Sequence, residues 1–147
     1  MNKEYINIAL ADDDEDDRFF FTEAFEDLKI KNRVSTFKDG IELMEFLEKA
    51  SLLPDLLFLD LNMPKKSGIE CLKEIKASSK FKEMIIAIYS TSSSEEDVEN
   101  TFVLGANIYI KKPNDFEKLK KVLSEVVTTN WQYETSGLNK ENFLLRL

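Results

Sequence analysis

The sequence contains no histidine and only one cysteine, Cys71, among its 147 residues. Without histidine, the chain cannot use imidazole as a general acid or base, as a metal ligand or as a carrier of a phosphoryl group. A single cysteine cannot form an intramolecular disulfide, as is expected in a reducing compartment. Residues 1–4 also lack the basic and apolar regions of a secretory signal. These absences favour a cytoplasmic protein whose chemistry depends on other side chains.

Basic side chains are outnumbered by acidic ones, 20 against 28, which gives a net charge of −8. Binding to nucleic acid requires a basic face that contacts phosphates, and binding to an anionic membrane surface has a similar requirement. The hydrophobic content of 43% is enough to fill one core in a chain of this length. We therefore predict one acidic globular domain that binds neither nucleic acid nor membranes.

Short apolar runs alternate with amphipathic segments, which is typical of repeated βα units. The predicted strands are Ile6 to Ala11, Arg33 to Phe37, Leu56 to Asp60, Met84 to Tyr89 and Asn107 to Lys111. Each is followed by a segment with helical periodicity. The pattern predicts an α/β fold, a (βα)5 doubly wound parallel five-stranded sheet in the flavodoxin-like order 2-1-3-4-5 with helices on both faces.

Two helix starts and one domain boundary can also be predicted. The pairs Ser93/Glu96 and Asn114/Glu117 have the spacing of capping boxes, so the fourth and fifth helices should begin there. Residues 1–128 are predicted to form the domain. Residues 129–147 are polar at first and then apolar, and are predicted to form a tail or a short extra helix.

Polar side chains stand where four of the predicted strands end. These are Asp12 and Asp13 after the first strand, Asp60 at the end of the third, Ser90 after the fourth and Lys112 after the fifth. Ligands of open α/β sheets bind outside the carboxyl ends of the strands, and the first and third strands flank the switch point of this order. The five side chains are therefore expected to line one crevice.

The chemistry of these residue types points to a phosphoryl group. Three neighbouring carboxylates repel one another, so a cation is expected among them, and oxygen ligands in small number favour Mg²⁺. A hydroxyl and a lysine ammonium would complete an anion site. The combination describes a cradle for a phosphoryl group on a carboxylate nucleophile.

From about Asn7 to Val127 these residues resemble the receiver domains of two-component response regulators, typified by the bacterial chemotaxis regulator. The resemblance implies that Asp60 accepts the phosphoryl group. It also implies a site for Mg²⁺, or another divalent cation, made by Asp12, Asp13 and Asp60 with the backbone carbonyl of Asn62. Asp13 would be a direct ligand of the cation.

The resemblance further implies how the signal is received and transmitted. Ser90 would turn toward the phosphoryl group, and Tyr109, as the aromatic switch, would then move inward to fill the space behind it. Lys112 would precede a cis proline, Pro113. The phosphoryl donor would be a sensor histidine kinase or a phosphotransfer protein. The chain would be an autocatalytic phospho-acceptor and not an enzyme. The signal would be read by a downstream protein target, or by formation of a homodimer, on the face of the fourth helix, fifth strand and fifth helix.

A narrower resemblance concerns the kind of receiver. The chain ends soon after the last predicted helix, which is similar to stand-alone receivers. The acidic run over residues 12–17, the serine-rich run after the fourth strand and Trp131 are similar to the single-domain group paired with phytochrome-type or similar sensor kinases.

Four alternative interpretations fit parts of the sequence. An acidic run is usually a solvated face. Asp12, Asp14, Asp16 and Glu23 have the spacing of a calcium-binding loop, but Asp17 stands where the turn of that loop needs glycine, and a strand precedes the run, so this interpretation is rejected. An aspartyl phosphatase of the haloacid dehalogenase type would also place two spaced acids after the first strand, but Asp16 stands where threonine or valine is expected. A receiver-like adaptor without phosphorylation would not need the complete set of polar residues.

Overall fold

A computed structural model of the chain describes residues 5–128 and Phe143. The prediction of a tail or short helix over residues 129–147 lies outside the described residues except at Phe143. The elements are β1 (Ile6–Ala11), α1 (Glu15–Asp27), β2 (Asn32–Phe37), α2 (Gly40–Lys49), β3 (Leu56–Leu59), α3 (Gly68–Ala77), β4 (Ile85–Ser90), α4 (Glu95–Val103), β5 (Ile108–Lys111) and α5 (Phe116–Thr128). In the part of the chain that the structure describes, no helix is long and apolar enough to cross a membrane.

The five strands form one parallel sheet in the order β2-β1-β3-β4-β5. Two separate hydrophobic clusters cover its faces. One contains buried residues of α2, α3 and α4, and the other contains buried residues of α1 and α5. The predicted fold class, strand order and two-sided packing are therefore confirmed.

The central strand β3 explains the continuous apolar run in the sequence. All four of its residues are buried, and they alternate between the two clusters, with Leu57 and Leu59 on one face and Leu56 and Phe58 on the other. A strand packed on both faces needs apolar side chains at every position. The first residue beyond it, Asp60, leaves the sheet at its carboxyl end.

The starts of α4 and α5 differ from the predicted capping boxes. Ser94, not Ser93, caps α4 by accepting a hydrogen bond from the backbone N–H of Asp97 at 3.1 Å. Asp115, not Asn114, accepts from the backbone N–H of Glu117 at 2.9 Å at the start of α5. In both places a second capping residue lies one position further along the chain, so the sequence spacing alone could not distinguish the two registers.

Candidate functional site

Asp60 is fixed by the backbone on both sides. Its N–H donates to the carbonyl of Ala11 at the end of β1, at 2.9 Å, which continues the sheet pairing by one residue. On the other side, the N–H of Gly68 donates to the carbonyl of Leu61 at 3.0 Å, so that α3 begins directly against the Asp60–Leu61 peptide. Asp60 as a whole residue is 5% exposed. The fold thus holds a buried carboxylate at the carboxyl end of its central strand.

Three carboxylates meet at this position. One oxygen from each of Asp12, Asp13 and Asp60 lies within 4.8 Å of the others. Asp12 is fully buried, whereas Asp13 is exposed and opens the cluster to solvent. Oxygen donors of this kind suit a hard divalent cation that keeps part of its water shell. The three residues fit such a cation.

The ammonium of Lys112 crosses from the end of β5 into the acidic cluster. Its Nζ lies 2.8 Å from Asp12 Oδ2, 2.8 Å from Asp17 Oδ2 and 3.5 Å from Asp60 Oδ2. Asp12 Oδ2 is buried and accepts no hydrogen bond of good geometry, so its partner is this ion pair. Asp17, in the first turn of α1, was not predicted as part of the site.

The Lys112–Pro113 peptide bond is trans, because the described residues contain no cis peptide bond. The prediction of a cis bond is wrong. The backbone N–H of Lys112 donates to the carbonyl of Ser90 at 2.8 Å, and from there the side chain reaches the carboxylates without a cis bond.

Burial and repulsion raise the pKa values of the buried acidic side chains above those in water. Burial raises the pKa of Asp60 from 3.8 to about 6, and Asp12 adds to the rise although Lys112 opposes it. Burial also raises the pKa of Asp12. Burial alone would lower the pKa of Lys112, but its close pairing with Asp12 and Asp17 raises it. One ammonium therefore serves three carboxylates and cannot fully neutralise them.

A hydrogen-bonded chain joins Ser90 to Tyr109. The buried hydroxyl of Ser90 accepts from the backbone N–H of Ser92 at 3.1 Å. The hydroxyl of Tyr109 donates to the carbonyl of the same Ser92 at 2.7 Å. The Tyr109 side chain is fully buried. The ring thus already occupies an inward position, whereas the sequence led us to expect that phosphorylation would move it there.

Asn62 lies at the rim of the site. It is exposed, and its backbone N–H lies 3.4 Å from Asp60 Oδ1. The structure therefore brings Asp12, Asp13, Asp60 and Lys112 together and places Asn62 beside them. The contribution of its backbone carbonyl to a metal site stays a prediction.

Comparison with known proteins places this geometry in a family. The sequence profile of the response regulator receiver domain matches residues 8–124. The chain belongs to the response regulator receiver family. Response regulator Rcp1 of Synechocystis is 32% identical over 124 residues, which cover 81% of this chain and 84% of Rcp1. Receiver domains are signalling domains, so two-component signalling is the process in which this chain takes part.

Solved structures of receivers agree with this assignment. The phosphorylated cyanobacterial phytochrome response regulator RcpA has a TM-score of 0.77 and 32% identity, over 83% of this chain and 91% of RcpA. The Mn²⁺-bound form of Rcp1 has a TM-score of 0.76 and 30% identity, over 84% of this chain and 92% of Rcp1. The receiver fold is thus shared with one protein solved with a phosphoryl group and with another solved with a divalent cation.

Proposed function

We propose that this receiver accepts one phosphoryl group on Asp60 in a Mg²⁺-dependent reaction and signals to a protein partner. The observation that carries the proposal is the meeting of Asp60 with two further carboxylates and the Lys112 ammonium at the carboxyl ends of the strands. Buried acids held together in this way are costly to the fold unless a cation or a reaction uses them.

In the proposed reaction, a side-chain oxygen of Asp60 forms the new bond to phosphorus. The bond between phosphorus and the imidazole nitrogen of the donor phosphohistidine breaks, and the donor retains that electron pair. Because such a transfer depends mainly on position and charge, the fixed backbone around Asp60 favours it. The Nζ of Lys112 lies 3.5 Å from Asp60 Oδ2. Its ammonium would shift from Asp12 and Asp17 toward the transferred group and offset part of the negative charge on the phosphoryl oxygens.

Asp12, Asp13 and Asp60 would hold the Mg²⁺ ion together with the backbone carbonyl of Asn62. When bound, the ion supplies positive charge that offsets the repulsion among the carboxylates and the phosphoryl oxygens. The acids of this chain position the ion, and Asp60 alone provides the nucleophile. The presence of Mn²⁺ in a similar receiver supports a divalent cation here.

The output would depend on Ser90 and Tyr109. A hydroxyl that donates to a new phosphoryl oxygen forms a charge-assisted hydrogen bond, which is stronger than a neutral one. Ser90 is linked to Tyr109 through the backbone of Ser92. Phosphorylation would therefore favour the buried position of Tyr109 that the structure contains. The resulting shift in population would change the surface of α4, β5 and α5.

The donor would be a sensor histidine kinase or a phosphotransfer protein in the cytoplasm. Phytochrome response regulators among the similar structures make a phytochrome-type kinase a candidate. The target would be a protein, or a second copy of this chain, that binds the face of α4, β5 and α5. The chain would promote its own phosphorylation without acting as an enzyme on other molecules.

Incubation with acetyl phosphate and Mg²⁺ should add one phosphoryl group, as detected by intact mass. The Asp60→Asn variant should gain none, because its amide is a poor nucleophile. Asp13→Ala should be modified at least about tenfold more slowly, since it removes one anionic ligand of the ion. Normal modification of Asp60→Asn, or equal modification in the presence of a chelator, would contradict the proposal.

The affinity for Mg²⁺ should depend on pH. Protonation of Asp60, whose pKa burial raises to about 6, removes an anionic ligand, so affinity should fall as the pH decreases through that value. We expect a loss of about tenfold between pH 8 and pH 5, measured by calorimetric titration. An affinity that stays constant over this range would show that Asp60 is not a ligand.

A further inference from the structure

Phe143 is fully buried and packs against α4 and β5. In the sequence it lies well beyond Thr128, the last residue of α5. Its ring centroid is 5.3 Å from that of Phe102 and 6.1 Å from that of Tyr109, and both pairs meet edge to face. Phe143 belongs to the same hydrophobic cluster as Val98 and Ala106. The C-terminal segment (residues 129–147) thus contributes a side chain to the core beneath the proposed output face.

The same contact covers the proposed switch. Tyr109 is fully buried, and its ring and that of Phe143 pack edge to face. Edge-to-face aromatic pairs depend on the position of both rings. A displacement of Tyr109 would therefore disturb its contact with Phe143, and removal of Phe143 would loosen the packing that holds Tyr109 inward.

Contacts continue from Tyr109 to the acceptor. The Tyr109 hydroxyl donates to the carbonyl of Ser92, and the N–H of Ser92 donates to the hydroxyl of Ser90. Ser90 ends β4, which pairs with β3, the strand that leads into Asp60. An aromatic side chain near the end of the chain is therefore connected to the phosphorylation site by packed and hydrogen-bonded groups.

We propose that Phe143 is an intramolecular ligand of the face formed by α4 and β5, and that its binding is positively coupled to phosphorylation of Asp60 through Tyr109. This inference rests on the proposed function. Phe143 stabilises the inward position of Tyr109, which is the position that the phosphorylated state would favour. Such coupling is reciprocal, so phosphorylation holds Phe143 in place more strongly, and Phe143 strengthens binding of a phosphoryl group or its mimic.

The test is a titration of the full chain with beryllofluoride in the presence of Mg²⁺, followed by the amide NMR signals near Asp60. Phe143→Ala should bind at least about fivefold more weakly than the unmodified chain. Phe143→Leu, which keeps an apolar side chain, should recover part of the affinity. Val103→Ala is the matched control, because Val103 lies in α4 next to Phe102 but is 72% exposed, and this variant should bind normally.

A second measurement needs no substitution. Hydrogen exchange at the amide of Phe143 should slow by about fivefold when beryllofluoride binds. Unchanged exchange, or equal affinity of a folded Phe143→Ala variant, overturns the coupling while leaving the proposed function intact. If the unmodified chain does not bind beryllofluoride at Asp60, both are overturned. A loss of affinity on mutation that grows with protein concentration would mean that a second copy supplies Phe143, which overturns the intramolecular contact.

Discussion

Lys112→Met is expected to destabilise the protein by about 3 kcal/mol at pH 8 and to slow phosphorylation of Asp60 at least about tenfold. The Lys112 ammonium is the ion-pair partner of Asp12, which is fully buried. Methionine keeps much of the side-chain length but removes the charge. The variant would leave buried carboxylates without compensation, and a transferred phosphoryl group would meet less positive charge.

The destabilisation should depend on pH in a defined direction. Burial already raises the pKa of Asp12 and Asp60 above the usual 3.8, and loss of the ammonium would raise both further. A carboxyl whose pKa is raised by folding binds more protons in the folded chain than in the unfolded one, so stability falls as the pH rises from 3.8 through the folded pKa. The deficit of Lys112→Met should therefore be small at pH 5 and large at pH 8, as measured by urea unfolding.

Lys120→Met provides a matched control. Lys120 also pairs with two acids, Asp27 at 3.5 Å and Glu117 at 3.1 Å, but both partners are exposed. Surface pairs of this kind contribute at most about 1 kcal/mol, so the control should have little effect at either pH. Equal deficits for the two variants, or a deficit of Lys112→Met that does not change with pH, would be inconsistent with a buried acidic cluster.

Much of the fold could be predicted because its signals are local. The apolar run of β3 reports burial on both faces, and the alternation of strands with helices limits the connections to crossovers in a parallel sheet. The meeting of Asp12, Asp60 and Lys112 follows from the same topology, because the carboxyl ends of parallel strands share one edge. These residues could therefore be assigned to one site without any knowledge of side-chain positions.

The features that the sequence did not reveal depend on long-range placement. Asp17 reads as one acid in a run of six, and its pairing with Lys112 links positions 95 residues apart. Asp17 stands one helical turn before the buried Phe21 of α1, and this spacing was the signal that could have identified it. The apolar character of residues 143–147 was visible, but no periodicity shows that Phe143 packs beside Tyr109. Adjacent capping residues likewise left the starts of α4 and α5 undetermined by one position.

Gly68→Ala should destabilise the protein by about 2 kcal/mol and impair phosphorylation even in the folded fraction. A Cβ atom at this position would lie 2.7 Å from the Cα of Leu61 and 2.9 Å from the carbonyl carbon of Asp60. These are backbone atoms, which cannot rotate away as a flexible side chain can. Relief would require α3 to move from the Asp60–Leu61 peptide, and the cost of such overpacking exceeds the gain of about 1 kcal/mol that alanine brings to a helix.

Gly40→Ala separates the functional effect from the loss of stability. A Cβ at Gly40 would overlap the backbone oxygen of Lys66 and approach Cys71 Sγ to 2.7 Å, but neither contact involves the peptide of Asp60. Both variants should unfold at lower urea concentration than the unmodified chain. Under conditions in which both are fully folded, Gly68→Ala should be phosphorylated by acetyl phosphate more slowly and Gly40→Ala at the normal rate. If both variants are phosphorylated normally, then the close contact of α3 with Asp60 serves packing alone and does not position the acceptor carboxylate.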